Sequence, residues 1–242
     1  MLDTIKVENV LFIDIETIPQ YPDFADIPET MKYFWEKKSS YFREADQSAA
    51  DVYQRAGIYS EFGRIICISA GIVINKNDEK SIRIKSFYSD DEKQLLDEFA
   101  GMLKKYHSSN KDLQLCAHNG KEFDFPYIAR RMIINDIKLP QILDVAGKKP
   151  WEVQFLDTME LWKFGDYKNY TSLNLLTHIF NIPTPKDDID GSMVADVYWK
   201  EKNLDRIVTY CEKDVLAIAQ VFLKYKGESL IKQENVESAK TK

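Results

Sequence analysis

Cysteine is scarce in this chain of 242 residues. There are three, Cys67, Cys116 and Cys211, and they are isolated from one another. The absence of a CxxC pair argues against structural zinc, and nothing in the spacing suggests a disulfide framework, so a reducing compartment is expected. Basic excess is also missing: 33 Lys and Arg stand against 39 Asp and Glu, for a net charge of −6. That balance excludes a protein holding nucleic acid by bulk charge. It remains compatible with a nucleic-acid enzyme whose site is built from carboxylates and must release its product. No apolar run approaches the roughly 18 residues a membrane span needs. The start, Met1-Leu2-Asp3-Thr4, lacks the basic region and long apolar core of a secretory leader. Internal repeats are absent. The expectation is a soluble, cytoplasmic protein with no membrane association.

What is present suffices for a full core, with 44% hydrophobic and 12% aromatic residues. At this length a single α/β domain is the default. The apolar run Val10-Leu11-Phe12-Ile13 reads as a buried strand that ends in Asp14-Ile15-Glu16. Two residues apart on a strand, Asp14 and Glu16 share a face, where their charges repel and lose hydration. Either a divalent metal compensates them, or Asp14 caps the strand and Glu16 is solvated in a turn before Pro19. From about Thr17 to Gly63 runs an excursion too long for an ordinary connection, with helices expected over Glu29 to Phe42 and Glu44 to Ala56. Arg64 to Ile74 and Ile82 to Phe87 read as a hairpin, completing a three-stranded antiparallel meander with the first strand.

A helix is expected from Ser89, with Glu92 closing a capping box, to about Tyr106. A short strand at Leu113 to Ala117 leads into the loop His118 to Phe125 and a helix with Pro126 in its first turn. Val153 to Asp157 suggests a further strand. Helices are expected over Ser172 to Phe180, Ser192 to Lys200 and Leu204 to Tyr225, and a disordered tail after Gly227. A meander followed by alternating strands and helices implies a mixed β-sheet flanked by helices, compatible with a ribonuclease H-like α/β fold. Asp187-Asp188-Ile189-Asp190-Gly191 is not an EF-hand loop, because its register puts Lys186 and Val197 at ligand positions.

Asp124 reads by itself as an N-cap, Phe123 and Phe125 as core, and Asn119-Gly120 as a turn. Asp157 reads as a structural carboxylate holding a backbone amide. Tyr210 and Asp214, four apart, share one face of the last long helix beside its apolar stripe, where an ion pair with Lys213 or Arg206 is the ordinary explanation for Asp214. Taken together, Asp14-Ile15-Glu16-Thr17, then Asn119-Gly120-Lys121-Glu122-Phe123-Asp124 followed by Tyr127, then Tyr210-Cys211-Glu212-Lys213-Asp214 resemble the three motifs of the DEDD superfamily of 3′–5′ exonucleases. The third motif carries Tyr rather than His; His107, His118 and His178 are all far from Asp214, so the resemblance is to the Tyr subclass. With Asp157-Thr158-Met159-Glu160-Leu161, it extends to stand-alone exonucleases related to the proofreading domain of family B DNA polymerases.

The resemblance covers about Val10 to Tyr225 and implies an exonuclease domain over 1–226, a helical insertion over 17–63 and a tail over 227–242. It implies metal ligation by Asp14, Glu16, Asp124 and Asp214, with two divalent ions, Mg²⁺ or Mn²⁺, one activating water and one steadying the leaving 3′ oxygen. Tyr210 would orient the attacking water, being a poor base near neutrality. Thr17 and Ile18 would meet the 3′-terminal nucleotide through their backbone, Asn119 would support the second motif or the penultimate phosphate, and Phe123 would abut a base or sugar. Lys121, Arg130, Arg131, Lys163 and Lys168 are candidates for the phosphate backbone or for a plain solvated face. The implied partner is the 3′ end of single-stranded DNA, with a DNA polymerase as a further candidate. An exoribonuclease and a non-catalytic nucleic-acid-binding module of the same fold are the alternatives.

Overall fold

A computed structural model describes residues 2–76, 79–166, 170–183 and 188–240. Its centre is a six-stranded mixed sheet in the order β5-β4-β1-β2-β3-β6. Strands β1 (Val10–Pro19), β2 (Gly63–Lys76) and β3 (Glu79–Tyr88) form the antiparallel meander, while β4 (Gln114–Ala117) and β5 (Leu156–Asp157) extend it in parallel from β1. The helices are α1 (Glu29–Ser39), α2 (Glu92–Ser109), α3 (Asp124–Ile134), α4 (Thr158–Lys163), α5 (Leu173–Ile179), α6 (Val194–Asp196), which runs on into a π turn over Val197–Glu201, and α7 (Leu204–Tyr225). The architecture is the mixed sheet flanked by helices that the chain's patterning implies.

Period-two alternation along β1 sorts its side chains between two helical layers. Leu11, Ile13 and Ile15 pack with Leu96 and Phe99 of α2 and Ile128 and Met132 of α3. Val10 and Phe12 pack with Val215, Ile218 and Phe222 of α7, and Ile18 packs with Ile207 at the other end of that helix. Asp14 and Glu16 thus interrupt an apolar row on the α7 side of the sheet. They do not end the strand: the ladder with β2 continues to Pro19 opposite Gly63, with a register shift between Glu16 and Thr17. Such a bulge increases local twist and re-aims side chains, and bulges are enriched beside active sites.

Because 17–19 belong to β1 and Gly63 to β2, the expected insertion of 17–63 narrows to 20–62, closed at its base by Gln20 N–H donating to the Phe62 carbonyl at 3.0 Å. It has a core of its own, in which fully buried Trp35 packs edge-on against Phe42, Tyr53, Tyr59 and Phe62 and donates to the Ala49 carbonyl at 2.8 Å. The second helix expected there, from Glu44 to Ala56, is replaced by turns and a 3-10 segment over Tyr53–Ile58. Local side-chain bonds compete with a helix: Asp51 accepts from the Ser48 amide and hydroxyl, and Gln47 from the Glu44 amide.

Four further expectations are corrected. Helix α2 is capped by Asp91, which accepts from the Gln94 amide, so Ser89 and Glu92 form no capping box. Glu92 turns inward instead, accepting from the Ile65 amide at 2.7 Å and from buried Arg131. The Val153 to Asp157 strand shrinks to Leu156–Asp157, and the Ser192 to Lys200 helix to α6 and its π turn. The tail after Gly227 is ordered up to Lys240. Gln220 clamps the Ile231 backbone with bonds to its N–H and C=O at 2.9 and 2.8 Å, and β6 (Val236–Lys240) pairs in parallel with β3. Among the described residues no helix is long and apolar enough to cross a membrane.

Candidate active site

Three elements bring the three motifs together. Strand β1 supplies Asp14 and Glu16, the start of α3 supplies Asp124, and α7 supplies Tyr210 and Asp214. Asp14 is influenced by the charges of Asp214, Glu16 and Asp124, and Glu16 by those of Asp214 and Asp124, so the four carboxylates share one locus. Glu16 and Asp124 are buried; Asp14, Tyr210 and Asp214 are partly exposed.

Asp124 sits at the first helical position, with Phe123 as the N-cap, rather than capping the helix itself. The backbone amides of Asp124 itself and of Ile15 lie near its carboxylate and favour its charged form. The parallel ladder of β4 with β1 runs from Val10 to Phe12, so the Ile15 amide lies beyond that pairing, and its nearness to Asp124 brings the second motif beside the first. The preceding loop is held by Asp157, which accepts from the Asn119, Met159 and Glu160 amides through Oδ1 and from the Lys121 amide through Oδ2. Asp157 is therefore the amide-holding carboxylate its sequence context implies. The loop turns at Asn119, whose φ is 62°, and Gly120 has no room for a side chain, since a Cβ there would stand 2.3 Å from that of Ala117. His118 donates through Nε2 to the Thr171 carbonyl and accepts at Nδ1 from Thr158, a neutral tautomer favoured by burial, which pulls its pKa down.

Burial, and then the neighbouring carboxylates, push Asp14 and Glu16 well above the ordinary carboxylate range. Burial pushes Asp124 up to about 8 against the opposing pull of its two amide donors. Among the described residues, no cation is a main influence on these three groups. Asp14 Oδ2 is buried without a hydrogen-bond partner. Carboxylate oxygens with an orphaned lone pair among them fit a hard divalent cation. Tyr210 is pushed upward by burial and by Asp214, Glu16 and Asp14, and it bonds the Asp214 side chain. It stays a protonated donor at any pH the protein tolerates.

Two neighbours escaped the sequence reading. Cys211 donates through Sγ to the Asp14 carbonyl at 3.4 Å, and its sulfur lies within 4.8 Å of carboxylate oxygens of both Asp14 and Glu16. Cys67 lies beside both Cys211 and Glu16. Their signal was available: Cys67 faces Glu16 in the β1–β2 register, and Cys211 falls inside the third motif. Burial and the adjacent anions push the Cys211 thiol well up, so it serves as a weak donor rather than a thiolate.

Of the remaining candidates, the Thr17 side chain lies beside the Tyr127 hydroxyl, which donates to the Gly57 carbonyl at 2.8 Å, and Ile18 is buried, leaving its backbone alone to meet a ligand. Asn119 Oδ1 is buried and unpartnered. Phe123 is part-buried against Tyr127, with ring centres 5.4 Å apart. Among the cationic candidates, Arg131 is ruled out for substrate: it is buried and committed to Glu92 and the Ser60 carbonyl. Lys121 pairs with Glu160 at 2.6 Å, Arg130 is exposed and Lys163 is part-exposed. Lys168, Lys186 and Asp187 lie outside the described residues.

A pH dependence follows. Carboxylates whose folded pKa is raised bind protons more tightly in the folded state than in the unfolded one. Their cost to stability is absent below the ordinary carboxylate range and grows with pH, and for Asp124 it is complete above its elevated value near 8. In EDTA, Tm is expected to fall as pH is raised from about 5 to about 8, and millimolar Mg²⁺ or Mn²⁺ to restore it at the alkaline end. Thermal melts across that range check this; a chelated protein as stable at pH 8 as at pH 5 would contradict it.

Residues 58–240 match the model of a family described as a predicted 3′–5′ exonuclease related to the exonuclease domain of PolB. Asp124, Tyr210 and Asp214 fall inside the match; Asp14 and Glu16 precede it. None of the curated proteins compared matches the chain. Among solved structures, the family B DNA polymerase from the hyperthermophilic archaeon Pyrobaculum calidifontis is similar at 15% identity with a TM-score of 0.49, covering 88% of this chain and 24% of the polymerase.

Proposed function

The chain belongs to the family of predicted 3′–5′ exonucleases related to the exonuclease domain of PolB, and from that premise we propose that it shortens single-stranded DNA from the 3′ end, releasing nucleoside 5′-monophosphates. The observation that carries the reading is the convergence of Asp14, Glu16, Asp124 and Asp214, the first three raised by burial and by their carboxylate neighbours. Buried anions of this density cost stability unless a function retains them. The polymerase kinship of the family favours DNA over RNA.

Asp14, Glu16, Asp124 and Asp214 would hold two divalent ions, Mg²⁺ or Mn²⁺, which supply positive charge at the scissile phosphate and make water nucleophilic near neutral pH. The chain's own groups orient and confine. Asp14 has the buried Oδ2 lone pair it would offer to a metal. Asp124 stands beside the Ile15 amide of β1, which favours its charged form. Tyr210 keeps its proton and can only orient water or substrate, not abstract a proton. Thr17 and Ile18 offer backbone groups to the terminal nucleotide. Asn119 offers its free Oδ1, and Phe123 its part-exposed ring, to the terminal or penultimate nucleotide.

The test uses 5′-labelled single-stranded DNA, single-stranded RNA and a mismatched primer–template with Mg²⁺, Mn²⁺ or EDTA. A ladder growing shorter from the 3′ end, on DNA first and only with metal, is expected. No metal-dependent shortening of any substrate would sink the enzyme reading, and RNA degraded in preference would move it to an exoribonuclease. Tyr210→Phe is expected to lower kcat about 10–100-fold with KM little changed. Its pH–rate profile should keep its shape, since Tyr210 does not titrate in the working range. A variant that loses only an alkaline limb would instead assign Tyr210 a titrating role.

A further inference from the structure

The insertion of 20–62 lies outside the simplest account of the site, and its surface is not that of a spacer. Met31, Phe34, Lys38 and Tyr41 recur at helical spacing along α1 and just beyond it, so they form one stripe. The stripe borders a groove of about 670 Å³, closed on the other side by Phe62 of the insertion and Ile134 at the end of α3. Phe34 is 54% and Tyr41 80% exposed. Trp35, one residue from Phe34, is fully buried in the insertion core, so the exposed rings stand on a firm base.

Two elements join this groove to the carboxylates. Gln20 lines it, four positions after Glu16, about 13 Å at the rise of a strand. Helix α3 carries Asp124 at its first residue and Ile134 at its last, about 15 Å apart at the helical rise. A strand leaving the site along these elements reaches the groove within a few nucleotides. The local charge also suits an anion: Lys37, Lys38 (its Nζ over the Tyr59 ring) and a single unpaired acid in the lining, Glu61, border the groove, while Arg131 is neutralised by Glu92. This corner of a chain with net charge −6 is therefore basic.

We propose that the groove between α1 and the end of α3 is a stacking platform for unpaired bases upstream of the 3′ end, with Phe34 and Tyr41 as the stacking rings and Lys37 and Lys38 meeting the phosphates. The proposal rests on the exonuclease reading. Exposed aromatics beside lysines bind single strands without sequence preference, because every base offers a π face. The insertion then gives grip on an extended strand without touching the reacting phosphate.

The experiment compares the full chain with Phe34→Ala/Tyr41→Ala and with Lys37→Gln/Lys38→Gln on a dinucleotide and on a single-stranded DNA of about a dozen nucleotides, with Mg²⁺. The aromatic pair is expected to raise KM for the long strand by about 10-fold or more, with kcat and dinucleotide hydrolysis unchanged. The lysine pair should flatten the salt dependence of long-strand KM. If wild type cleaves neither substrate, the exonuclease reading fails. If wild type cleaves both and the variants match it on both, the platform alone is refuted. Variants that alter sedimentation but not long-strand KM would make the face a protein interface and overturn the proposal. Unchanged Tm in both variants confirms that folding is not the cause of a loss.

Discussion

Asp14→Asn is expected to lower exonuclease activity by about a thousandfold or more while raising the Tm of the metal-free protein by about 3–6 °C. The two effects have one cause. Asp14 stands on the α7 side of β1, in the row that carries Val10 and Phe12, where the sheet otherwise buries apolar groups. There its charge is opposed by burial and by Asp214, Glu16 and Asp124. Removing it relieves like-charge repulsion of the order of 1–2 kcal/mol, which metal binding otherwise compensates. The same removal takes away the carboxylate with the orphaned Oδ2, and with it several kcal/mol of charge stabilisation at the phosphate, each 1.4 kcal/mol being tenfold in rate. Melts in EDTA and in Mg²⁺, beside a single-turnover assay, check both halves. The variant should also lose most of the metal-induced rise in Tm. An asparagine variant that keeps a tenth of wild-type activity, or that melts lower than wild type in EDTA, would remove Asp14 from the centre of the site.

Both the placement of that residue and the misreading of its surroundings have physical reasons. The period of two on a strand, and of 3.6 on a helix, is enough to put Asp14 with Glu16 and Tyr210 with Asp214. Such spacings depend on nothing beyond the local backbone. The position of Asp124 was legible, but not its nearness to the Ile15 amide, because that depends on how α3 packs beside β1. A charged pair inside β1 looked like a strand end, since burial of two anions has no local signature distinguishing it from exposure. Glu92 looked like half of a capping box, as its spacing from Ser89 allowed. Its real partners, Ile65 and Arg131, are distant in sequence. The tail looked disordered because Val236–Lys240 holds few apolar residues; it is ordered by backbone pairing with β3 and by Gln220, which composition does not reveal. Cys67 and Cys211 were counted as isolated, and the fold made them neighbours at the site.

The same long-range tie sets the second large effect. Arg131→Met is expected to destabilise the fold by about 3–5 kcal/mol, because it leaves the Glu92 carboxylate buried and without its cation. The pair is sealed: Arg131 is 3% and Glu92 7% exposed. Arg131 donates to Glu92 through Nε at 2.9 Å and again through a second guanidinium nitrogen, and its third nitrogen donates to the Ser60 carbonyl at 2.9 Å. Glu92 further accepts from the Ile65 amide and from Asn135. One ion pair thus fastens α2, α3, β2 and the closing end of the insertion. Replacing both partners with Arg131→Met/Glu92→Leu removes the stranded charge and should recover part of the loss. Recovery should stop short of wild type, because the Ile65 amide and the Ser60 carbonyl then lack their partners, each costing about 1–3 kcal/mol. Glu92→Gln keeps an acceptor for Ile65 and should cost less than Arg131→Met. Denaturant midpoints for the three variants, at low and high salt, measure this ordering; burial predicts that salt changes it little. A double variant as unstable as Arg131→Met would mean that the packing of these side chains, and not their charge, holds the insertion to α3.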